Sequence, residues 1–301
     1  MQTTTSALTR REFDVLEALA QANAKLSQRQ LEERLSCSLT TVNRTCKELA
    51  EKGLVDDGAI TSAGFAALEP YRVRRAVFVA AGFGSRMVPV TLNTPKPLVR
   101  VNGKRIIDGL LDACLAQGIT EIYVVRGYLA EQFELLRMKY PMIQFLENPI
   151  YNESNNISSA LVARFLLQNA YVFEADLLLS NPAIVKKYHY TSEFMGIPME
   201  RSDDWCFTVK DGVITEQKVG GLNCHQMVGI SYWSAADGAR LAEDIAAAYA
   251  EPGGKELYWE QVPLKIFKDR YRVGICECRA DDIVEIDTFR ELKAIDPTYD
   301  V

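Results

Sequence analysis

From Ala76 onward, short apolar runs alternate with segments of helical periodicity, and this alternation narrows the available folds more than any other feature of the chain. Residues 76–81 read as a buried strand. Arg105 to Gln117 reads as a helix with Ile106, Ile107, Leu110, Leu111 and Cys114 on one face. Residues 121–126 predict a strand, 129–140 a helix, 143–146 a strand, 156–168 a helix and 171–174 a strand. Such a series predicts an α/β fold with a mostly parallel sheet covered on both faces. Ligands of such sheets bind beyond the carboxyl ends of the strands, so the residues there are the first candidates for chemistry.

The first seventy residues follow a different pattern. Leu8 to Ala22, Ser27 to Leu35 and Leu39 to Lys52 each read as a short helix, the second opened by Ser27 as N-cap and the third closed by Gly53. Residues 54–60 then predict a small hairpin turning at Asp56-Asp57-Gly58, and Thr61 to Glu69 can form one more helical stretch. Helices followed by a two-stranded wing resemble a winged helix-turn-helix domain of the MarR type. The expected organisation is thus a small winged-helix domain over residues 1–72 and an α/β domain over 73–301.

The resemblance leaves DNA binding open. Thr40, Thr41, Asn43, Arg44 and Lys47 on the third helix could meet bases and phosphates. Against this, nine cations face ten acids in the region, and Asp56 and Asp57 stand at the wing tip. Phosphate neutralisation supplies most DNA affinity, so a regulatory or protein-contact role competes with DNA. The formal charge of −6 for the whole chain likewise argues against coating nucleic acid.

Composition excludes other classes. With 48% apolar and 25% charged residues, the chain has the balance of a globular protein. It contains no apolar run long enough for a membrane span, and residues 1–10 lack a signal-peptide core, so a cytoplasmic location without membrane partners is expected. The seven cysteines are odd in number and irregularly spaced, which reads as reduced thiols. Two histidines leave little material for a histidine metal cluster or a Ser-His-Asp triad.

The most specific string follows the first strand of the α/β region: Ala80, Ala81, Gly82, Phe83, Gly84, Ser85, Arg86, Met87, Val88, Pro89, then Thr91 and Pro95, Lys96, Pro97, Leu98. It is not a dinucleotide fingerprint, because Met87 stands where the third glycine belongs, and no Walker lysine follows. Gly82 and Gly84 can let backbone amides approach phosphates, although two glycines also suffice for a tight turn alone. Arg86 offers a forked phosphate donor, and Lys96 a second cation on a loop stiffened by two prolines. The whole string resembles the signature of nucleotidyltransferases that activate sugar phosphates and choline phosphate.

Gly127 to Phe133, Tyr151 to Leu161, Glu174-Ala175-Asp176, Gly229 to Trp233, Leu257 to Glu260 and Val284 to Asp287 continue that resemblance in the same order. It covers roughly residues 74–296 and points to the LicC-like choline-phosphate cytidylyltransferase branch. It implies a Rossmann-like nucleotidyltransferase sheet, transfer of CMP from CTP to phosphocholine with release of pyrophosphate, and Mg²⁺ held by Asp176 and Asp287. Either aspartate could instead cap a helix or turn. The implied roles are catalysis for Arg86 and Lys96, and nucleotide binding for Ala81, Gly82, Gly84, Ser85, Gly127, Tyr128, Asn155, Asn156 and Ser158. Asn155 and Asn156 could equally cap the following helix.

The acceptor pocket is expected around Trp205, Tyr258 and Trp259, because aromatic faces hold a quaternary ammonium. The same rings could simply pack a core. On strand alternation, Tyr232 and Trp233 point to opposite faces, so at most one of them can face the pocket. Phosphoethanolamine, an aminophosphonate or a sugar 1-phosphate are alternative acceptors. A primary ammonium would favour carboxylates over rings. A ligand-sensing transcription regulator is the alternative of another class, and a homodimer is left open.

Overall fold

The computed structural model describes residues 7–22 and 24–300. Cα proximity divides the chain into two compact units, Met1–Arg72 and Val73–Val301.

In the first unit, helices α1 (Arg10–Ala22), α2 (Gln28–Leu35) and α3 (Leu39–Glu51) precede the wing strands β1 (Val55–Asp56) and β2 (Ala59–Ile60) and helix α4 (Ser62–Leu68). Ser27 caps α2 through a reciprocal box with Gln30, and Ser38 caps α3. Asp57 and Gly58 both adopt positive φ, +44° and +73°, as a tight hairpin turn with the twist of its strands requires. Leu16, Leu19, Leu31, Val42 and Leu49 are buried, forming the apolar side of these helices. The arrangement is a winged helix.

The second unit contains a seven-stranded sheet. Its strands are β3 (Arg75–Val79), β6 (Glu121–Arg126), β7 (Gln144–Glu147), β8 (Ala170–Glu174), β10 (Glu193–Lys210), β11 (Val213–Trp233) and β12 (Gly274–Glu277), in the order β10-β12-β11-β8-β3-β6-β7. The small pairs β4 (Arg100–Val101) with β5 (Lys104–Arg105), and β9 (Leu177–Leu179) with β13 (Ile283–Glu285), lie outside it. Strand β3 runs parallel to β6 and β8, and β6 runs parallel to β7. The expected Rossmann-like, mostly parallel sheet is therefore present.

Alternation sorts the core. Phe78 and Phe173 pack with Leu110 and Leu111 of α5 (Ile106–Ala116) on one face. Val77 and Val172 pack with Ile157 and Ala160 of α6 (Ile157–Ala163) and with Leu241 and Ile245 of α7 (Ala235–Ala250) on the other. A third cluster joins Met87 and Val99 to Ile286 and to Leu292 of α8 (Phe289–Ile295), so the glycine loop is anchored to the carboxyl-terminal helix.

Three segments depart from the sequence reading. Residues Ala130–Met138 form a 3₁₀ run entered through Leu129 at φ +46°, where a longer α-helix was expected. Its period of three places Phe133 and Leu136 in the core and leaves Leu135 and Met138 exposed. The helix expected over 156–168 is α only over Ile157–Ala163 and tightens to 3₁₀ at Arg164–Leu166. The long antiparallel hairpin of β10 and β11 was not expected. It turns at Asp211 and Gly212, both at positive φ. Among the described residues, no helix is long and apolar enough to cross a membrane.

Candidate functional site

Strands β3, β6 and β8 end side by side, and the chain leaving β3 becomes the glycine loop. Gly84 has φ +68°, and a Cβ there would stand 3.1 Å from Lys96 Cβ and 3.3 Å from Thr91 Cγ2. The loop and the lysine segment are thus in close contact, fixed further by Thr91 Oγ1 donating to the Gly84 carbonyl at 2.9 Å. At Gly82 a Cβ would meet nothing within 4 Å. The loop therefore leaves open space beside its backbone there, as a ligand lying along it requires.

This loop borders a cavity of about 650 Å³. Of the expected residues, Gly82, Gly84, Ser85, Arg86, Lys96, Asn155, Asn156, Asp176, Trp205, Tyr258 and Asp287 line it. Lys96 is 7% exposed. Its Nζ donates to Asp176 Oδ2 at 2.7 Å and to Asp287 Oδ1 at 2.9 Å, and Arg86 donates to the same Asp287 oxygen at 2.7 Å. Burial works against charge on Lys96, but Asp176 and Asp287 outweigh it and hold its pKa above the ordinary lysine value.

Two carboxylates that the sequence reading did not single out complete the centre. Glu174 precedes Asp176 by two residues and Glu285 precedes Asp287 by two, so in extended chain each pair projects to one side. The β9–β13 pairing and the Ile286 amide, which donates to the Asp176 carbonyl at 3.2 Å, bring the two Glu-x-Asp segments together. Glu174, Asp176 and Glu285 each offer an oxygen within 4.8 Å of the others, and Asp176 Oδ1 is buried without a partner. A hard, oxygen-rich donor set of this kind fits a divalent cation. Asp287, expected beside Asp176 at the metal, accepts from Lys96 and Arg86 through Oδ1. It is not a helix cap, because Thr288 caps α8.

Burial, then Asp176 and Asp287, push the Glu285 carboxyl up to about 8. Glu174 lies well above its ordinary value through burial and then the neighbouring Glu260 and Asp176. Burial likewise raises Glu260. Glu174 fits only because residue 229 is glycine. A Cβ there would come within 2.4 Å of Glu174 Oε2.

Five expected residues lie behind the cavity wall. The Ala81 carbonyl accepts the Tyr128 amide at 3.0 Å. Tyr128 OH donates to the carbonyls of Thr91 and Leu92 at 2.9 and 3.0 Å, clamping the stretch that leads to Lys96. A Cβ on Gly127 would overlap the Tyr151 ring at 2.6 Å. Ser158 is buried, donating to the Asn155 carbonyl and accepting from Asn148. Trp259 is 2% exposed and packs between Phe194 and Trp233 in the core rather than beside Tyr258. Tyr258 is exposed and lines the cavity while Trp259 is buried away from it, so the pair does not supply two walls of one pocket.

Trp205 and Tyr258 remain as the facing rings, with centroids 5.7 Å apart at 62°. Tyr232 and Trp233 are both buried. Asn155 and Asn156 do not cap α6 through their side chains. Asn155 Nδ2 donates to the Glu256 carbonyl at 3.2 Å. Asn156 Nδ2 donates to Glu260 Oε1 at 3.3 Å, and Asn156 Oδ1 accepts the Trp259 amide at 2.8 Å. They join the loop before α6 to the loop carrying Tyr258 and Glu260.

On the winged helix, Arg44 and Lys47 of α3 are exposed, each within 4 Å of an acid one turn on: Glu48 at 3.8 Å and Glu51 at 3.9 Å. Asp57 at the wing pairs with Lys25. The cations that would meet a phosphate backbone already have acidic neighbours.

Comparison with known proteins agrees with this geometry. A family model described as nucleotidyl transferase matches residues 75–191, and one described as MarR family matches residues 8–59. A 2-aminoethylphosphonate cytidylyltransferase of Lancefieldella rimae is 39% identical over 228 residues, spanning 74% of this chain and 92% of that protein. A choline-phosphate cytidylyltransferase of Streptococcus pneumoniae is 29% identical over 227 residues, spanning 74% and 96%. The solved structure of the CTP:phosphocholine cytidylyltransferase of that species superposes with a TM-score of 0.69 at 28% identity, covering 75% of this chain and 99% of that one.

Proposed function

Because the chain belongs to the nucleotidyltransferase family, on its cytidylyltransferase side, we propose that it transfers CMP from CTP to a small aminoalkyl phosphonate or phosphate, with 2-aminoethylphosphonate the preferred acceptor. An acceptor oxygen attacks the α-phosphorus in line. The new P–O bond forms as the bond to the bridging oxygen breaks, and its electron pair leaves with pyrophosphate. The nucleophile is already an anion, so no side chain need remove a proton. Lys96, Arg86 and the amides of the Gly82–Ser85 loop position the phosphates and absorb charge developing on the leaving group. Glu174, Asp176 and Glu285 would hold Mg²⁺, which neutralises phosphate charge when bound.

The observation that carries the acceptor assignment is the place of Trp259. With that ring in the core, the cavity offers two aromatic faces, Trp205 and Tyr258, beside the carboxylates of Asp204 and Glu260. This favours a primary ammonium, which needs acceptors for its N–H groups, over the trimethylammonium expected from sequence. The facing pair of rings supports phosphocholine as the second reading. The first 72 residues are read as a regulatory or contact module, since α3 and the wing present few unpaired cations to DNA.

The test is pyrophosphate release with each of the four nucleoside triphosphates against 2-aminoethylphosphonate, phosphoethanolamine, phosphocholine and sugar 1-phosphates. Turnover should be fastest with CTP and 2-aminoethylphosphonate. Preference for a sugar 1-phosphate, or none for CTP, would overturn the assignment. Trp205→Ala should raise KM for the cationic acceptors by about fivefold and leave that for CTP unchanged, as loss of one ring face worth ~1 kcal/mol implies.

A further inference from the structure

We infer that Cys206 and Cys224 are an oxidisable pair, and that a disulfide between them acts on the acceptor side of the cavity. This is a modification site apart from the reacting groups, and the bond can form whatever the acceptor proves to be. Only its effect on turnover draws on the function proposed above.

The β10–β11 hairpin brings the two thiols together. Cys206 and Phe207 lie between two stretches of β11, opposite Lys218 and Gln217 on one side and opposite Gln226 and His225 on the other. Cys224 is two residues from Gln226, so its side chain leaves β11 on the same face as that of Cys206. A Cβ at Gly221 would meet Cys206 Sγ at 2.9 Å and Cys224 Sγ at 3.3 Å. Both sulfurs therefore converge on one spot, which any side chain at 221 would fill. The two thiols share a hydrogen bond. Both are buried, yet their cover is thin, because Val219 and Leu222 on either side of the two glycines are 63% and 74% exposed.

A peroxide suits a buried pair, being small enough to enter. A cysteine thiolate attacks one peroxide oxygen, the O–O bond breaks and hydroxide leaves, giving a sulfenic acid. The second thiolate attacks that sulfur, the S–O bond breaks and a second hydroxide leaves. The two cysteines lose two electrons, the peroxide gains them, and the two thiol protons end in water. Burial, then the hydrogen bond and charge of Cys224, push the Cys206 thiol up to about 11, against the opposing pull of Lys218. Thiolate is scarce at neutral pH, so closure is slow there. For the same reason the reduced pair gains little as thiolate, and the disulfide resists reduction once formed.

The bond would be felt at Trp205, the residue before Cys206. The register slips between Ser202 and Trp205, and this irregular stretch carries both Asp204 and Trp205 to the cavity. A disulfide holds its sulfurs at about 2.05 Å, closer than any non-bonded pair. Closing it draws Cys206 toward Cys224 and moves the Trp205 ring. The Gly82–Ser85 loop and Lys96 stand on other elements and keep their places.

The experiment treats the full chain with hydrogen peroxide from neutral to mildly alkaline pH, alkylates the remaining thiols and maps the cysteine peptides by mass. A Cys206–Cys224 link should form, about tenfold faster per pH unit over this range. The linked protein should show a severalfold higher KM for the acceptor it uses best, an unchanged KM for CTP, and recovery with a thiol reductant. Cys224→Ser should keep its kinetics through the treatment. The map needs no substitution, so it decides the pair even if that variant fails to fold. Oxidation confined to other cysteines, or ending in sulfinic acid without a link, would overturn the site. A link that leaves the acceptor KM unchanged, or raises both KM values alike, would overturn its action on the acceptor side. If the acceptor used best is not an aminoalkyl compound, the proposed function falls, and the map and the two KM values still decide this inference.

Discussion

Replacing Lys96 with methionine separates the two tasks that its ammonium performs. Methionine keeps most of the stem volume, so the change removes charge rather than packing. Lys96 Nζ lies 2.7 Å from Asp176 and 2.9 Å from Asp287, and its loss leaves both carboxylates without their shared cation. Removing one partner of a buried ion pair costs ~3–5 kcal/mol when the remaining charge stays sealed. Here the aspartate side chains retain 22% and 23% exposure, and Asp287 keeps Arg86. A loss of ~2 kcal/mol follows, or ~4–8 °C in Tm for a unit of this size.

Tryptophan fluorescence reports the relevant transition, because Trp205, Trp233 and Trp259 all belong to the unit Val73–Val301. Magnesium should recover more stability in the variant than in the parent, since it supplies the charge that was removed. Turnover should nonetheless fall by ~10²–10³, because magnesium cannot replace a donor aimed at the triphosphate. A metal-free variant that melts with its parent, or equal stabilisation of both by magnesium, would refute the reasoning.

Gly229→Ala places a Cβ 2.4 Å from Glu174 Oε2; it should cost ~1–3 kcal/mol and raise the magnesium concentration needed for half-maximal turnover, read by metal titration. The Glu285 carboxyl, ordinarily near 4.5 and pushed up to about 8 by burial and then by Asp176 and Asp287, binds its proton more tightly folded than unfolded. Its contribution to stability is present in full below 4.5 and is lost as pH rises through 8. Denaturant midpoints across that window should therefore fall in the metal-free protein, and Glu285→Gln should flatten the slope. Residues 73–301 expressed alone should fold and retain turnover; failure to fold would make the winged helix integral to the catalytic unit.

Much of the scaffold was legible because it depends on local signals. Periodicity gives the ends of β3, β6 and β8 to within about two residues, and Asp57-Gly58 marks the wing turn. The β10–β11 hairpin carries the same kind of signal at Asp211-Gly212. Glu174 and Glu285 could have been found from the repeated Glu-x-Asp spacing, which puts both acids of each pair on one side of an extended chain. The direction of Trp259 could not. Whether a ring lines a cavity or fills a core is decided by Phe194 and Trp233, which arrive from distant parts of the chain. Tyr128 and Ser158 illustrate the same limit. They lie in segments that resemble the family, but their polar groups hold loops together.

The bonds from Asn155 and Asn156 to residues 256, 259 and 260 bear on how such an enzyme could acquire a new substrate. The loop entering α6 and the loop bearing Tyr258 and Glu260 share a mechanical joint, so a shift in one is passed to the other. Swapping the loop bearing Tyr258 alone, as in a chimera, would drag residues 155–157 out of register and damage parts of the cavity that the graft never touched. Laboratory evolution toward a bulkier acceptor should accumulate paired changes on both sides of the joint. Successful transplants would need to carry the two loops as one cassette.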